Sequence, residues 1–116
     1  MRSLRGLAIA ACIAALGSGA PAAQTTDVVA RGRQIYANWC VHCHREGGSA
    51  TRVLEERYRG KVPALIEERT DLAAARIVRL LRTQTPGMTA FRPTDLTDSD
   101  LDAVAAYLTR NNALKR

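Results

Sequence analysis

Cys40, His42, Cys43 and His44 stand within five residues, in the stretch Asn38-Trp39-Cys40-Val41-His42-Cys43-His44. Thiols and imidazoles at this density call for metal, redox or prosthetic-group chemistry. A structural zinc site usually draws its four ligands from two separated pairs. No Cys or His follows His44, so four adjacent side chains would have to converge on one ion. A redox dithiol makes no use of the trailing histidine. Cys-x-x-Cys-His is instead the spacing of covalent haem attachment. Two thiols separated by two residues can add to neighbouring vinyl groups from one helical turn. The imidazole that follows is then placed to bind iron. Cys40 and Cys43 are therefore expected to hold one haem c as thioethers, with His44 as an axial ligand.

A low-spin electron carrier needs a second axial ligand. His42 lies between the attachment cysteines and cannot reach the opposite face of the ring, so it is expected to be an exposed spacer. Beyond Met1 the chain has one methionine, Met88, 44 residues after His44. A lone methionine is more often core filler. Met88, however, sits in Thr85-Pro86-Gly87-Met88-Thr89-Ala90-Phe91, where Pro and Gly turn the chain between helices. The expected iron ligands are thus His44 and Met88. With both bound, iron has no open position for substrate. An open-site haem protein, a small peroxidase or a gas binder, is the alternative.

Helices must position these groups, and no segment reads as a convincing strand. The first helix is expected over Asp27–Asn38, capped by Thr26 or Asp27. Val28, Val29, Ile35, Tyr36 and Trp39 recur at helical spacing, with Gly32 among them. A glycine inside a helix costs about 1 kcal/mol against alanine, which suggests a close approach to the backbone there. A weaker helix covers Arg52–Tyr58 and stops at Gly60. Pro63 opens a short turn through Glu68. Ala73, Ile77, Leu80 and Leu81 stripe a helix over Asp71–Arg82, and Thr83–Thr94 is loop. In the last helix Thr97 is the N-cap, and Asp100 completes a capping box. Its buried face is Leu101, Val104, Ala105, Tyr107 and Leu108. The acidic cluster Asp98, Asp100 and Asp102 is explained by the positive helix start.

The order helix, Cys-x-x-Cys-His, loops, methionine loop and terminal helix resembles the class I cytochrome c family. Gly32, Tyr36 and Cys40, spaced by fours, are similar to that family's first helix. Val104 and Tyr107 match the residues its terminal helix crosses against it. The resemblance runs from Gly32 to Leu108 and implies an all-α fold, with the N- and C-terminal helices crossing beside one covalent haem. It also implies that Gly32 lets those helices touch. More narrowly, PGMTAFRPTDLTDSDLDAVAAYL (86–108) is similar to the small cytochrome subunits of flavin-dependent, phenol-oxidising dehydrogenases of the p-cresol methylhydroxylase kind. That implies single-electron transfer from a flavoprotein or quinoprotein dehydrogenase to a periplasmic carrier or oxidase. Two positions depart from the family pattern. Thr89 follows the methionine where Pro is common. Gly48-Ser49-Ala50 replaces the usual Gly-Pro whose carbonyl holds the proximal imidazole N–H, leaving Pro63 or another backbone carbonyl for that role.

The 116 residues allow one domain. Arg2 and Arg5 precede the apolar run Leu7–Leu16, and Ala20-Pro21-Ala22 is a small-residue cleavage pattern, so residues 1–22 read as a secretory signal and 23–116 as the cytochrome domain. The cut is expected after Ala22 or Ala23. The run is shorter than the about 20 residues a spanning helix needs, which disfavours an uncleaved anchor, and acylation at Cys12 would leave Ala20-Pro21-Ala22 without purpose. Loss of residues 1–22 lowers the formal charge from +6 to +4. The basic residues are scattered and the aromatics number five, a pattern that excludes a nucleic-acid groove. No nucleophile–base pair or phosphate loop suggests an enzyme. Periplasmic location follows from the signal, because thioether formation needs exported thiols.

Overall fold

The computed structural model describes residues 21–115. It contains five α-helices among these residues: α1 (Pro21–Trp39), α2 (Val41–His44), α3 (Ser49–Tyr58), α4 (Ala74–Arg82) and α5 (Asp98–Thr109). One 3-10 turn spans Ile66–Glu68, and a 3-10 segment, Arg110–Lys115, follows α5. The only β-type pairing among the described residues is an isolated bridge between Thr85 and Met88. The expected all-α architecture is present.

α1 crosses α5, and Gly32 is the crossing point. A Cβ built on Gly32 would lie 1.9 Å from the Ala103 carbonyl oxygen and 2.8 Å from Tyr107 Cβ. No side chain fits there, so the helical cost of glycine is offset by backbone-to-backbone contact. The nearest atoms are the Ala103 carbonyl and Tyr107 Cβ, the second of them from an expected crossing residue. Val104, the other expected crossing residue, is 1% exposed and belongs to the core. One turn along α1, the Tyr36 ring meets Tyr107 at 5.6 Å between centroids, tilted by 52°. On the other side of the glycine, Arg31 Nε donates to Asp100 Oδ1 at 3.0 Å.

Leu101, Val104, Ala105, Tyr107 and Leu108 of α5 are all buried, as the spacing predicts, and they pack with Tyr36, Ile77, Leu81 and Leu96. The start of α5 is a complete capping box. Asp100 N–H donates to Thr97 Oγ1 at 3.2 Å, and Thr97 N–H donates to Asp100 Oδ2 at 3.0 Å. Asp98 pairs with Arg82. The remainder of the C-terminal half is tied by polar contacts. Tyr107 Oη donates to Glu67, Asn111 Nδ2 donates to the Glu67 carbonyl at 2.7 Å, and Asn112 Nδ2 donates to the Leu72 carbonyl at 2.7 Å.

Several boundaries differ from the sequence expectation. Within the described residues α1 is already helical from Pro21, so Thr26 and Asp27 are interior to it rather than its cap. The expected stripe is also narrower: Val28 and Trp39 are 42% and 51% exposed, because the face turned to α5 is centred on Gly32 and Tyr36. α3 starts at Ser49, three residues early, and ends through a left-handed Arg59 (φ 48°) and Gly60 (φ 76°). α4 starts at Ala74 rather than Asp71. The Asp71 carboxylate accepts both Arg69 Nε at 2.8 Å and Arg69 Nη2 at 2.7 Å, which holds this stretch extended. Ala73 and Leu80 are exposed, while Ile77 and Leu81 carry the burial of α4. The turn expected from Pro63 to Glu68 contracts to Ile66–Glu68.

Residues 1–20 lie outside the described part, and with them the apolar run Leu7–Leu16. No helix among the described residues is long and apolar enough to cross a membrane.

Candidate metal centre

The Cys-x-x-Cys-His motif is a single helical turn continuing from α1. Cys40 N–H still donates to the Tyr36 carbonyl at 2.9 Å, as in an unbroken helix. Cys43 N–H and His44 N–H then both donate to the Cys40 carbonyl, at 3.2 and 3.1 Å. Cys40, Cys43 and His44 thereby share one side of α2, at the i, i+3 and i+4 positions. Both thiols are free, Cys40 part-buried and Cys43 exposed. Burial, with smaller contributions from Cys43 and Glu67, raises the Cys40 thiol to about 11. His42 is exposed, as expected of a spacer.

The chain then folds back over the motif. Gly48 is buried, and a Cβ there would lie 2.3 Å from the Cys43 carbonyl oxygen. Where the family usually has Gly-Pro, the backbone at this glycine is pressed against the motif itself.

His44 is half-buried, and burial lowers its pKa, which favours the neutral imidazole that metals bind. Its Nδ1 is buried and has no hydrogen-bond partner among the described residues. Neither Pro63 nor another backbone carbonyl among the described residues accepts from this nitrogen. Pro63 is itself exposed, in the irregular stretch between α3 and the 3-10 turn.

Met88 is part-buried and packs on the same core cluster as Cys40, Val41, Leu72 and Phe91. Its loop is a tight turn rather than an open coil. Met88 N–H donates to the Thr85 carbonyl at 3.1 Å, and Thr85 N–H donates to the Met88 carbonyl at 3.2 Å. Pro86 and Gly87 (φ 84°) occupy the two central positions, the residue pair a type II turn favours. Beyond the turn, Phe91 meets Trp39 edge-on at 5.7 Å between centroids. This contact joins the residue preceding Cys40 to the segment that carries Met88.

These residues fit a covalently attached haem. Two free thiols lie on one turn, the imidazole is half-buried with its pKa lowered by burial and an orphaned ring nitrogen, and a thioether side chain sits on the same apolar cluster. No three His, Cys, Asp or Glu side chains converge as an ion-binding group among the described residues.

An all-α domain of crossed terminal helices with this motif between them is a c-type cytochrome, a carrier of electrons on covalently bound haem c. Residues 27–108 match the family described as cytochrome c oxidase, cbb3-type, subunit III, and the chain belongs to that family. No curated protein and no solved structure shows a significant match.

Proposed function

We propose that the protein is an exported mono-haem cytochrome in which Cys40 and Cys43 are the thioether attachment residues and His44 and Met88 the axial iron ligands. The observation that carries this is the placement of Cys40 and Met88 on one apolar cluster, with His44 on the same helical turn as the cysteines. Bound haem supplies reversible one-electron iron chemistry. The chain supplies a proximal imidazole kept neutral by burial, and a thioether held in a closed turn. Thioether sulfur stabilises ferrous iron over ferric, so this pair sets a high potential suited to draining a reduced cofactor.

The donor in this reading is a flavin-dependent dehydrogenase of the phenol-oxidising kind, or a quinoprotein dehydrogenase, and the acceptor is a periplasmic carrier or a terminal oxidase. The similarity of residues 86–108 to the small subunits of p-cresol methylhydroxylase-type enzymes supports the donor. The family description, which names a cytochrome oxidase subunit, is compatible with an oxidase as acceptor. Residues 1–22 act as the export signal, which places residues 23–116 in the periplasm.

The test is the oxidised optical spectrum together with the midpoint potential. A weak far-red band reports sulfur on ferric iron. Met88→His should abolish that band, keep the haem low-spin, and lower the midpoint on the order of 100 mV or more. A wild-type spectrum without the band, and a midpoint indifferent to this substitution, would return the site to an open-position haem protein.

A further inference from the structure

Arg82 is the last residue of α4, and its side chain does not run out to solvent. Only 22% of it is exposed. Nη1 donates to two carbonyls, Phe91 at 3.0 Å and Leu96 at 2.9 Å. Nη2 donates to Asp98 Oδ1 at the first turn of α5. Directly beside it, Phe91 N–H donates to the Leu81 carbonyl at 2.8 Å. Phe91 is therefore pinned at both its amide and its carbonyl to consecutive residues of α4. The chain leaves α4 at Arg82, makes the Thr85–Met88 turn, and returns to α4 at Phe91. Residues 83–90 are a loop closed at its base, and Met88 is on the closed part.

We propose that Arg82 is the positioning residue for the sixth iron ligand: its guanidinium fork closes the base of the 83–90 loop and so keeps the Met88 sulfur on the iron. This rests on the assignment of Met88 as a ligand. Three features make Arg82 suited to the role. A guanidinium presents several donors in one rigid plane, so one side chain satisfies two carbonyls at once. The bonds are charge-assisted and partly shielded from water, which strengthens them. Besides Arg82 and the Leu81 carbonyl, Phe91 is held by its edge-on contact with a half-exposed Trp39 and by packing against the core cluster. The Asp98 carboxylate is 89% exposed, so the contact with it orients the fork and carries little of the closure.

The experiment uses the full holoprotein and compares wild type, Arg82→Leu, Arg82→Lys, Asp98→Asn and Met88→Ala. The readouts are the far-red band of the ferric form and the rate at which the ferrous form binds carbon monoxide, which must wait for the methionine to leave. Arg82→Leu should weaken the band and speed binding about tenfold or more, the factor expected for losing charge-assisted hydrogen bonds from a part-buried site. Arg82→Lys, with a point charge that cannot bridge two carbonyls, should fall between. Asp98→Asn should match wild type. In a Met88→Ala background Arg82→Leu should have no further effect, because nothing is left for the loop to hold. The role is overturned if Arg82→Leu binds at the wild-type rate while Met88→Ala is fast, or if it accelerates binding equally in the Met88→Ala background. If Arg82→Leu yields too little holoprotein, a wild-type rate in Arg82→Lys overturns it alone. If Met88→Ala binds no faster than wild type, the ligand assignment has failed, and the Arg82 role fails with it.

Discussion

The α1–α5 crossing and the 83–90 loop are both essential to the centre, yet they are held by different physics. At the crossing, helix backbones touch through Gly32, and the side chains around the contact are almost wholly excluded from water: Tyr36 2%, Leu101 0% and Val104 1% exposed. The loop is part-buried, and a few hydrogen bonds from Arg82, Leu81 and its own turn keep it in place. Close packing resists any change of volume but tolerates loss of one polar contact. A hydrogen-bonded loop tolerates changes of volume but depends on each donor. One half of the molecule is built to stay folded, and the other to hold one side chain in place.

If this contrast is correct, the largest effect belongs to the crossing. Gly32→Ala places a methyl carbon inside the Ala103 carbonyl, where only a backbone shift can make room. It should cost about 3 kcal/mol or more, read as a lower denaturant midpoint and poor recovery of holoprotein. A variant as stable as wild type would mean that the helices do not meet here. Leu101→Ala, at a residue with 0% exposure, should follow at about 2–5 kcal/mol without changing the spectrum of the protein that remains folded. Met88→Ala should show the reverse pattern. Its unfolding midpoint should move less than that of Leu101→Ala, while the haem turns high-spin and binds carbon monoxide readily.

Smaller effects sharpen the comparison at the start of α5, where the two regions adjoin. Thr97→Ala removes the cap from Asp100 N–H and should cost about 1 kcal/mol, with Thr97→Ser restoring most of it. The least effect is the acid response of the same box. Hydrogen bonds from Thr97, then from Arg31, hold the Asp100 carboxyl at about 2, below its ordinary 3.8. A depressed folded-state value means the stabilisation is complete above about 4 and is lost as pH falls toward 2. The acid-unfolding difference between wild type and Asp100→Asn should therefore open above pH 4 and close below it. A difference independent of pH would show that the charge of Asp100 plays no part.

Much of the tightly packed half was legible in the sequence. The α5 face and cap follow from a regular apolar period and a Thr-x-x-Asp signature, both local properties. Gly32 announced a close approach because its cost inside a helix needed an offset, and its nearest neighbours are the Ala103 carbonyl and Tyr107 Cβ. The haem motif was legible as chemistry, since its spacing carries the geometry of one helical turn. The other half depends on contacts distant in sequence. Asp71 reads as a helix start until Arg69 is seen to hold it extended. Trp39 reads as core until the crossing takes the other face of α1. Arg82 reads as an ordinary basic residue near a helix end, and only the path of the loop brings the Phe91 and Leu96 carbonyls to it. The missing partner of His44 Nδ1 is the same kind of case: residue types cannot say which carbonyl comes near.

The pairing of α1 with α5 also orders events in time. Arg31 and Asp100 are 69 positions apart, so the principal contact of the fold is among the most distant the described chain can make. During synthesis the chain emerges from its N-terminal end. α1 has no surface to receive its glycine face until residues 98–109 have been made, and long-range closure of this sort is slow. Through that interval Cys40 and Cys43 belong to a helix without its partner, open to whatever chemistry modifies them. The fold that finally shelters the centre is also the one that waits longest to form.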